Sequence, residues 1–332
     1  MAYSTYLITG ITGSFGQAMT RYLLQHTRAT IRGLSRDELK QAQMRETFAD
    51  DLGRLTLMLG DVRDRDRLQL ALRGVDCVFH AAALKHVPLG ERDPAEFIRT
   101  NIQGTEHVIR ACIDQHVQQA ILLSTDKAVA PINLYGCTKA VAERLWLRAN
   151  GYAPHGTAFA ALRYGNVTGS RGSVFGVWAR ALAEGRPLPL TDPAMTRFWI
   201  TLDEAVQFAA FAAAQAPRGW LLVPVLPAYT LPDLAHAVTG DAAPAMQTLG
   251  IRPGEKLHEA LMTAQEGAHA LSYRHSDGTT YYAVPPVDPS WRPASPEQTA
   301  GWQAAPLAVP YTSDTWPRRL TAAGLRERLA HA

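Results

Sequence analysis

The feature that most narrows the fold is Thr9-Gly10-Ile-Thr-Gly13-Ser-Phe-Gly16, which directly follows the apolar run Tyr6–Thr9 and opens a helical pattern through about Gln25. Glycines at this spacing serve a tight turn, close approach of backbone to a ligand, and close packing of helix on strand. The first turn of such a helix has N–H groups without partners inside the helix, and these suit phosphate oxygens. A glycine turn alone is a weak signal. Its place at the first strand–helix junction makes Gly10, Thr12, Gly13, Ser14, Phe15 and Gly16 candidate contacts for a dinucleotide.

The pattern after that junction repeats. Short apolar runs at Thr30–Leu34, Leu55–Leu59, Val75–His80, Ala120–Ser124 and Thr157–Arg163 alternate with helical segments, notably Pro94–Gln115 and Leu134–Asn150. Alternating strands and helices predict an α/β fold, a Rossmann-type doubly wound parallel sheet, with ligands at the carboxyl ends of its strands. After Gly165 the rhythm changes: glycines and prolines punctuate shorter segments, with helical patterns near Gly176–Glu184 and Leu202–Gln215. Residues 285–310 hold seven of the 21 prolines, which predicts an extended, wrapping segment. The expected division is a dinucleotide-binding domain over residues 1–165, to which some later segments return. Residues 166–332 would form a smaller mixed α/β substrate-binding lobe.

Composition excludes several classes. A net charge of +3 is too slight to imply nucleic acid or an anionic membrane as partner. No apolar stretch approaches the ~20 residues that span a bilayer, and no basic-then-apolar signal opens the chain. Three scattered cysteines and eleven histidines show no disulfide framework and no metal-type spacing. The expectation is a cytoplasmic globular protein without a metal. Of 33 basic residues only five are lysines, Lys40, Lys85, Lys127, Lys139 and Lys256. Arginine thus carries the surface charge, and each lysine becomes a candidate for work that needs a titratable amine.

Two further clusters carry chemistry. At the end of the second strand, Ser35, Arg36 and Lys40 offer a hydroxyl, a planar fork and an ammonium, with no acid at the strand's end. That set suits the 2′-phosphate of NADP better than the ribose hydroxyls of NAD. Further on, Tyr135 and Lys139 lie four apart on one helical face, just after Ser124-Thr125-Asp126-Lys127. An ammonium beside a phenol lowers the phenol's pKa and readies it to take a proton from an alcohol.

Together these motifs resemble the extended short-chain dehydrogenase/reductase family, and within it the UDP-N-acetylglucosamine 4,6-dehydratases of the C5-inverting type, which open pseudaminic acid biosynthesis. The similar strings run nearly end to end. They include Ser35–Lys40, Gly60–Asp64, His80–Pro88, Ser124–Ala128, Asn133–Gly136, Arg163–Val167, Gly169–Val174, Met195–Ile200, Gly250–Glu259 and Tyr311–Asp314. The resemblance implies oxidation of the carbon-4 hydroxyl, loss of water across carbons 5 and 6, and return of the hydride to carbon 6, with tightly held NADP regenerated. It makes Tyr135 the base for the 4-hydroxyl, assisted by Lys139, and Asp126 the acid for the departing 6-hydroxyl. Lys127 would be the carbon-5 base, which requires burial or nearby cations to depress its pKa.

The resemblance also places Asp61 and Val62 beside the adenine, Ala81, Ala82 and Ala83 along the cofactor's ribose and phosphates, and Val167 at the cofactor. Lys85 would reach cofactor or substrate. Asn166, Arg171, Arg197, Arg252 and Glu255 would bind the UDP-sugar, and the chain would pair into a homo-oligomer. His80 and His86 read as structural, and Cys137 as a packing residue. The chain departs from the subfamily at Ile11 (usually Gly), at Cys137 (usually Ala), at Gly176-Val-Trp178 and over residues 285–310. Other readings share these residues: a UDP-sugar epimerase, which needs no Asp126–Lys127 acid/base pair beside carbons 5 and 6, a dehydratase of another nucleotide sugar, and a non-catalytic NADP-binding regulator, which has no need of both Tyr135 and Lys139.

Overall fold

Parallel strands cannot be joined by tight turns, so each short apolar run must be followed by a segment that crosses one face of the sheet before the next strand pairs. The computed structural model describes residues 3–153, 156–169, 174–240, 244–286 and 299–330. In it the first half alternates β1 (Thr5–Thr9), α1 (Ser14–His26), β2 (Thr30–Ser35), α2 (Glu38–Thr47), β3 (Leu55–Leu59), α3 (Arg65–Leu72) and β4 (Cys77–His80). Three helices, α4 (Val87–Arg92), α5 (Pro94–Phe97) and α6 (Gly104–Asp114), lead to β5 (Gln119–Leu123), and α7 (Leu134–Arg148) leads to β6 (Ala158–Leu162).

The strands lie in the order β3-β2-β1-β4-β5-β6, all parallel, with Thr9 opposite both Leu34 and His80. This is the doubly wound order whose crevice opens beyond β1 and β4. β4 and β5 are buried along their whole length, which matches their lack of charge.

Four more strands extend the sheet from the second half. Leu221–Pro224 pairs parallel with β6, and Thr280–Val284, Leu271–Arg274 and Trp302–Ala304 follow antiparallel. Part of the proline-rich stretch therefore becomes a sheet edge; residues 287–298 of it lie outside the described residues. A separate apolar cluster, built around Trp178, Trp199, Tyr229 and Leu234, gathers the helices Val174–Ala183 and Leu231–Thr239 beside the carboxyl ends of the sheet. No helix among the described residues is long and apolar enough to cross a membrane.

Two local differences from the sequence reading have physical causes. Pro94–Gln115 is not one regular helix, because Ile98–Gln103 forms a π-helical stretch between α5 and α6. That wider turn lets Asn101 bond both the N–H and the carbonyl of Leu84, at 2.8 Å each, and the Thr138 hydroxyl on α7. Ile11 is fully buried against Gly33, where an added Cβ would come within 2.0 Å of its side chain. The larger residue in the turn is thus accommodated by a glycine on the neighbouring strand.

Candidate functional site

β1 ends directly in the glycine turn. Gly10 has φ +71°, and a Cβ there would lie 2.9 Å from the Ala82 nitrogen, so the position requires glycine on both counts. A Cβ at Gly16 would strike the Ile11 carbonyl oxygen at 2.4 Å. Gly13 caps α1 without a side-chain acceptor, which leaves the N–H groups of the helix's first turn open. They face a cleft of about 1430 Å³, lined here by Gly10, Thr12, Gly13, Ser14, Phe15 and Gly16.

From the turn the cleft passes Ser35, Arg36 and Lys40, then Asp61, Val62 and Ala81–Ala83. At the end of β2, Ser35 Oγ accepts from Gln41, Lys40 pairs with Asp37, and the half-exposed Arg36 lies 3.5 Å from Asp61. Arg63 donates twice to Asp61, at 3.0 and 2.7 Å. Burial works to raise the Asp61 pKa, but the bonds and charge of Arg63 outweigh it and hold it below the usual range.

The other end of the cleft holds Lys85, Lys127, Tyr135, Lys139, Asn166, Val167, Arg197, Arg252 and Glu255. α7 brings in Tyr135 and Lys139. Its cap is Asn133, which accepts from the Gly136 N–H at 2.7 Å and donates to the Gly254 carbonyl at 2.7 Å. One side chain thereby starts the helix and ties the Arg252–Glu255 turn over it.

Lys139 is buried and donates to the Leu123 carbonyl at 2.7 Å; burial draws its pKa down to about 8, against the charge of Glu143 one turn on. Burial also pushes the Tyr135 phenol up to about 12, and the opposing influences are Lys127 and a hydrogen bond with Thr125. The cation acting on the phenol in this structure is therefore Lys127, whereas the spacing pointed to Lys139.

Asp126 sits beneath the cleft surface, 1% exposed. Its Oδ1 accepts from the Thr125 hydroxyl at 2.8 Å and from Lys127 Nζ at 3.0 Å, while Oδ2 is buried with no hydrogen-bond partner among the described residues. Gly165 lines the cleft nearby, and a Cβ there would be 3.5 Å from Oδ2. Lys127 also donates to Asn166 Oδ1 at 3.2 Å and lies 3.3 Å from Glu259 Oε1. Burial lowers the Lys127 pKa, but the carboxylates of Asp126 and Glu259 overcome it, and the net shift is upward. The sequence reading required the opposite direction. Its reasoning counted burial and missed the second carboxylate.

Arg197 is mostly buried and donates to the Thr196 and Leu257 carbonyls at 2.7 and 3.1 Å; Arg252 is exposed at the rim, 3.6 Å from Glu255. Glu255 Oε2 and Ser124 Oγ are buried without partners among the described residues, and both residues line the cleft. Arg171 lies outside the described residues. His80 is held neutral by burial, its pKa near 3, between the hydroxyls of Thr9 and Thr105. Glu259 is the functional candidate that sequence reasoning passed over, although it closes the matching string Gly250–Glu259.

The strand order, the glycine turn and Tyr135 with Lys139 on one face of α7 define an extended short-chain dehydrogenase/reductase fold with its nucleotide cleft. The family described as polysaccharide biosynthesis protein matches residues 6–279, and the chain belongs to it. UDP-N-acetylglucosamine 4,6-dehydratase (inverting) of Campylobacter jejuni is 45% identical over 283 residues, covering 84% of this chain and 82% of that relative. UDP-glucose 4-epimerase of Rickettsia massiliae is 41% identical over 288 residues, covering 85% and 82%.

Among solved structures, Pen from Bacillus thuringiensis matches with a TM-score of 0.86 at 32% identity, over 99% of this chain and 98% of that one. DesIV, a dTDP-glucose 4,6-dehydratase from Streptomyces venezuelae solved with NAD and TYD bound, has a TM-score of 0.68 at 23% identity, over 76% and 86%. That likeness is one of fold.

Proposed function

We propose that the chain is a UDP-N-acetylglucosamine 4,6-dehydratase that inverts carbon 5 and works with NADP. The observation that carries the reading is the Asp126–Lys127 pair, joined at 3.0 Å, with Lys127 lining the cleft alongside Tyr135 and Asp126 directly beneath its surface. The inverting dehydratase of Campylobacter jejuni, 45% identical, supports it. The open first turn of α1 and the glycine cradle fit a pyrophosphate, and Ser35, Arg36 and Lys40 fit a 2′-phosphate beyond it. A bound nicotinamide would supply reversible hydride acceptance, taking it from carbon 4 and giving it back at carbon 6.

The chain's own residues handle the protons. Tyr135 Oη accepts the proton of the 4-hydroxyl, and the Lys127 ammonium nearby stabilises the phenolate that this requires. Lys139 holds the cofactor ribose. Oxidation at carbon 4 acidifies the proton on carbon 5. Lys127 hands its extra proton to Asp126 along their hydrogen bond, which yields a neutral amine and a neutral acid together. The carbon-5 proton then goes to Lys127 Nζ, and its bonding pair forms the double bond to carbon 6. The carbon-6–oxygen bond breaks with its pair, the oxygen takes the proton from Asp126, and water leaves. The ion pair is restored, and when carbon 6 takes the hydride back, carbon 5 takes a solvent-exchanged proton on the face opposite Lys127, which inverts it. Arg197, Arg252, Asn166 and Glu255 hold the nucleotide sugar from the second half of the chain.

A second reading is a UDP-sugar 4-epimerase, favoured by the 41% identity to the Rickettsia massiliae enzyme. One incubation separates them: purified protein with UDP-N-acetylglucosamine in deuterated water and no added cofactor, followed by mass spectrometry and NMR. The dehydratase gives loss of one water with deuterium at carbon 5, and denaturing the protein releases NADP. Product of unchanged mass carries the epimerase, and release of NAD overturns the NADP assignment.

A further inference from the structure

Glu259 is 2% exposed and reaches the site from the opposite half of the chain to Lys127. Its backbone is fixed on both sides: its N–H donates to Ser313 Oγ at 3.0 Å, and its carbonyl accepts from the Ser313 N–H at 2.8 Å. The Ser313 hydroxyl in turn bonds that of Thr196, at 2.6 Å. So held, Glu259 puts Oε1 3.3 Å from Lys127 Nζ and 3.9 Å from Arg197 Nε, while Oε2 is buried without a hydrogen-bond partner among the described residues. A carboxylate this buried and half-satisfied is unfavourable to keep, and a structural role would be served as well by an uncharged side chain.

We propose that Glu259 is a positioning residue for Lys127, bracketing its amine with Asp126 so that the amine meets carbon 5 inside a carboxylate–lysine–carboxylate triad. The proposal rests on the dehydratase reading above. Its charge opposes the step in which Lys127 hands a proton to Asp126, so the resting pair stays ionic. The same charge favours the ammonium that forms when the carbon-5 proton arrives, so the two effects offset, and what Glu259 contributes to the rate is the placement of the amine.

The other titratable groups facing Lys127 are Asp126 on its own turn, Arg197, Lys256, Tyr135 and Tyr229. Arg197 works against the ammonium, whereas both carboxylates favour it. An opposite charge within hydrogen-bonding range typically moves a pKa by about 1–3 units.

The test combines two readouts on wild type and Glu259→Gln. Reductive methylation with carbon-13 formaldehyde places an NMR probe on each of five lysines, with Lys127→Ala to assign the signal, and reads the Lys127 titration in the protein without substrate. Single-turnover runs in deuterated water read carbon-5 deuteration against carbon-4 oxidation, followed by the absorbance of the reduced nicotinamide. In Glu259→Gln the Lys127 titration, and with it the alkaline limb of the deuteration profile, should fall by about one pH unit or more. Deuteration at neutral pH should drop at least about tenfold while carbon-4 oxidation changes far less.

A Lys127 titration that stays in place overturns the proposal, as does equal loss of both steps. If Glu259→Gln does not fold, Glu259→Asp keeps the charge one methylene further back; a partial fall in the Lys127 titration with slower deuteration supports the proposal, and wild-type values overturn it. A wild type that dehydrates no nucleotide sugar refutes the dehydratase reading itself, and the lysine titration still decides whether Glu259 governs Lys127.

Discussion

Replacing Arg163 with methionine should destabilise the protein by about 3–5 kcal/mol, the usual cost of leaving a buried charge without its partner. Arg163 follows β6 and is 3% exposed. Its guanidinium donates to Glu143 at 3.2 and 2.6 Å, to both oxygens of Glu266 at 3.0–3.1 Å, and to the Leu261 carbonyl at 3.0 Å. Burial raises the Glu266 pKa, but Arg163 outweighs it and holds the carboxyl below its usual range. Glu143 is 5% exposed, so its charge has no water to fall back on, whereas the partly exposed Glu266 does.

The loss should therefore come mainly through Glu143. Adding Glu143→Gln to Arg163→Met should restore about 1–3 kcal/mol, because an amide tolerates the vacated site better than a carboxylate. Urea unfolding followed by tryptophan fluorescence reads both variants, with Arg110→Ala as a reference at the exposed pair with Glu106, where about 0–1 kcal/mol is expected. A loss below about 1 kcal/mol in Arg163→Met, or a double variant no better than the single, would refute the reasoning.

Two further outcomes follow from the cleft. Gly16→Ala pushes a methyl to within 2.4 Å of the Ile11 carbonyl oxygen, so the turn must open and affinity for the nicotinamide dinucleotide should fall more than about tenfold by calorimetry. Lys139 has its pKa drawn from 10.5 down to about 8 by burial. Between those two values the unfolded chain holds a proton that the folded one has released, so stability rises with pH across that window and is lost again as pH falls through about 8. The swing is about 3 kcal/mol, and it should be missing from Lys139→Met when the two proteins are compared by denaturant titration at each pH. A parallel pH dependence in both would sink this account.

The parallel core of the fold was legible in the sequence because each of its strands is a short apolar run with a helix to follow. Thr30–Leu34 and Leu55–Leu59 lie within a residue of the strands that form. What lies beyond β6 was harder to read. Leu271–Arg274, Thr280–Val284 and Trp302–Ala304 are only three to five residues each, and their signal is aromatic packing across a long sequence distance. Phe211, on the helix Leu202–Gln215, stacks on Tyr281 with ring centroids 4.4 Å apart and tilts against Tyr273 at 5.2 Å. Asp277-Gly278, in the five-residue turn that sets Arg274 opposite Thr280, is a local hairpin signal that the sequence reading passed over, whereas nothing local ties Trp302–Ala304 to that hairpin. The π-helical stretch at Ile98–Gln103 is hidden for a similar reason, since it depends on Asn101 finding Leu84, seventeen residues earlier.

The site divides along the same line. Motif and spacing singled out Tyr135 and Lys139, and the family resemblance added Asp126 and Lys127; all four fall within fourteen residues of the chain. Their protonation was not legible, because a pKa depends on every charge within a few ångströms, whatever its place in the chain. Lys127 and Lys139 show the difference. Lys139 is buried and Lys127 largely so, and burial acts on both in the same direction. Lys139 has the single carboxylate of Glu143 opposing it, and that carboxylate is shared with Arg163, so burial prevails and the pKa falls. Lys127 faces Asp126 and Glu259, and the two together reverse the sign. The deciding residue stands 132 positions along the chain from the lysine it acts on. The lysine proposed as the base is thus the charged one in the resting protein, and in the proposed reaction it becomes an amine by passing its proton to Asp126.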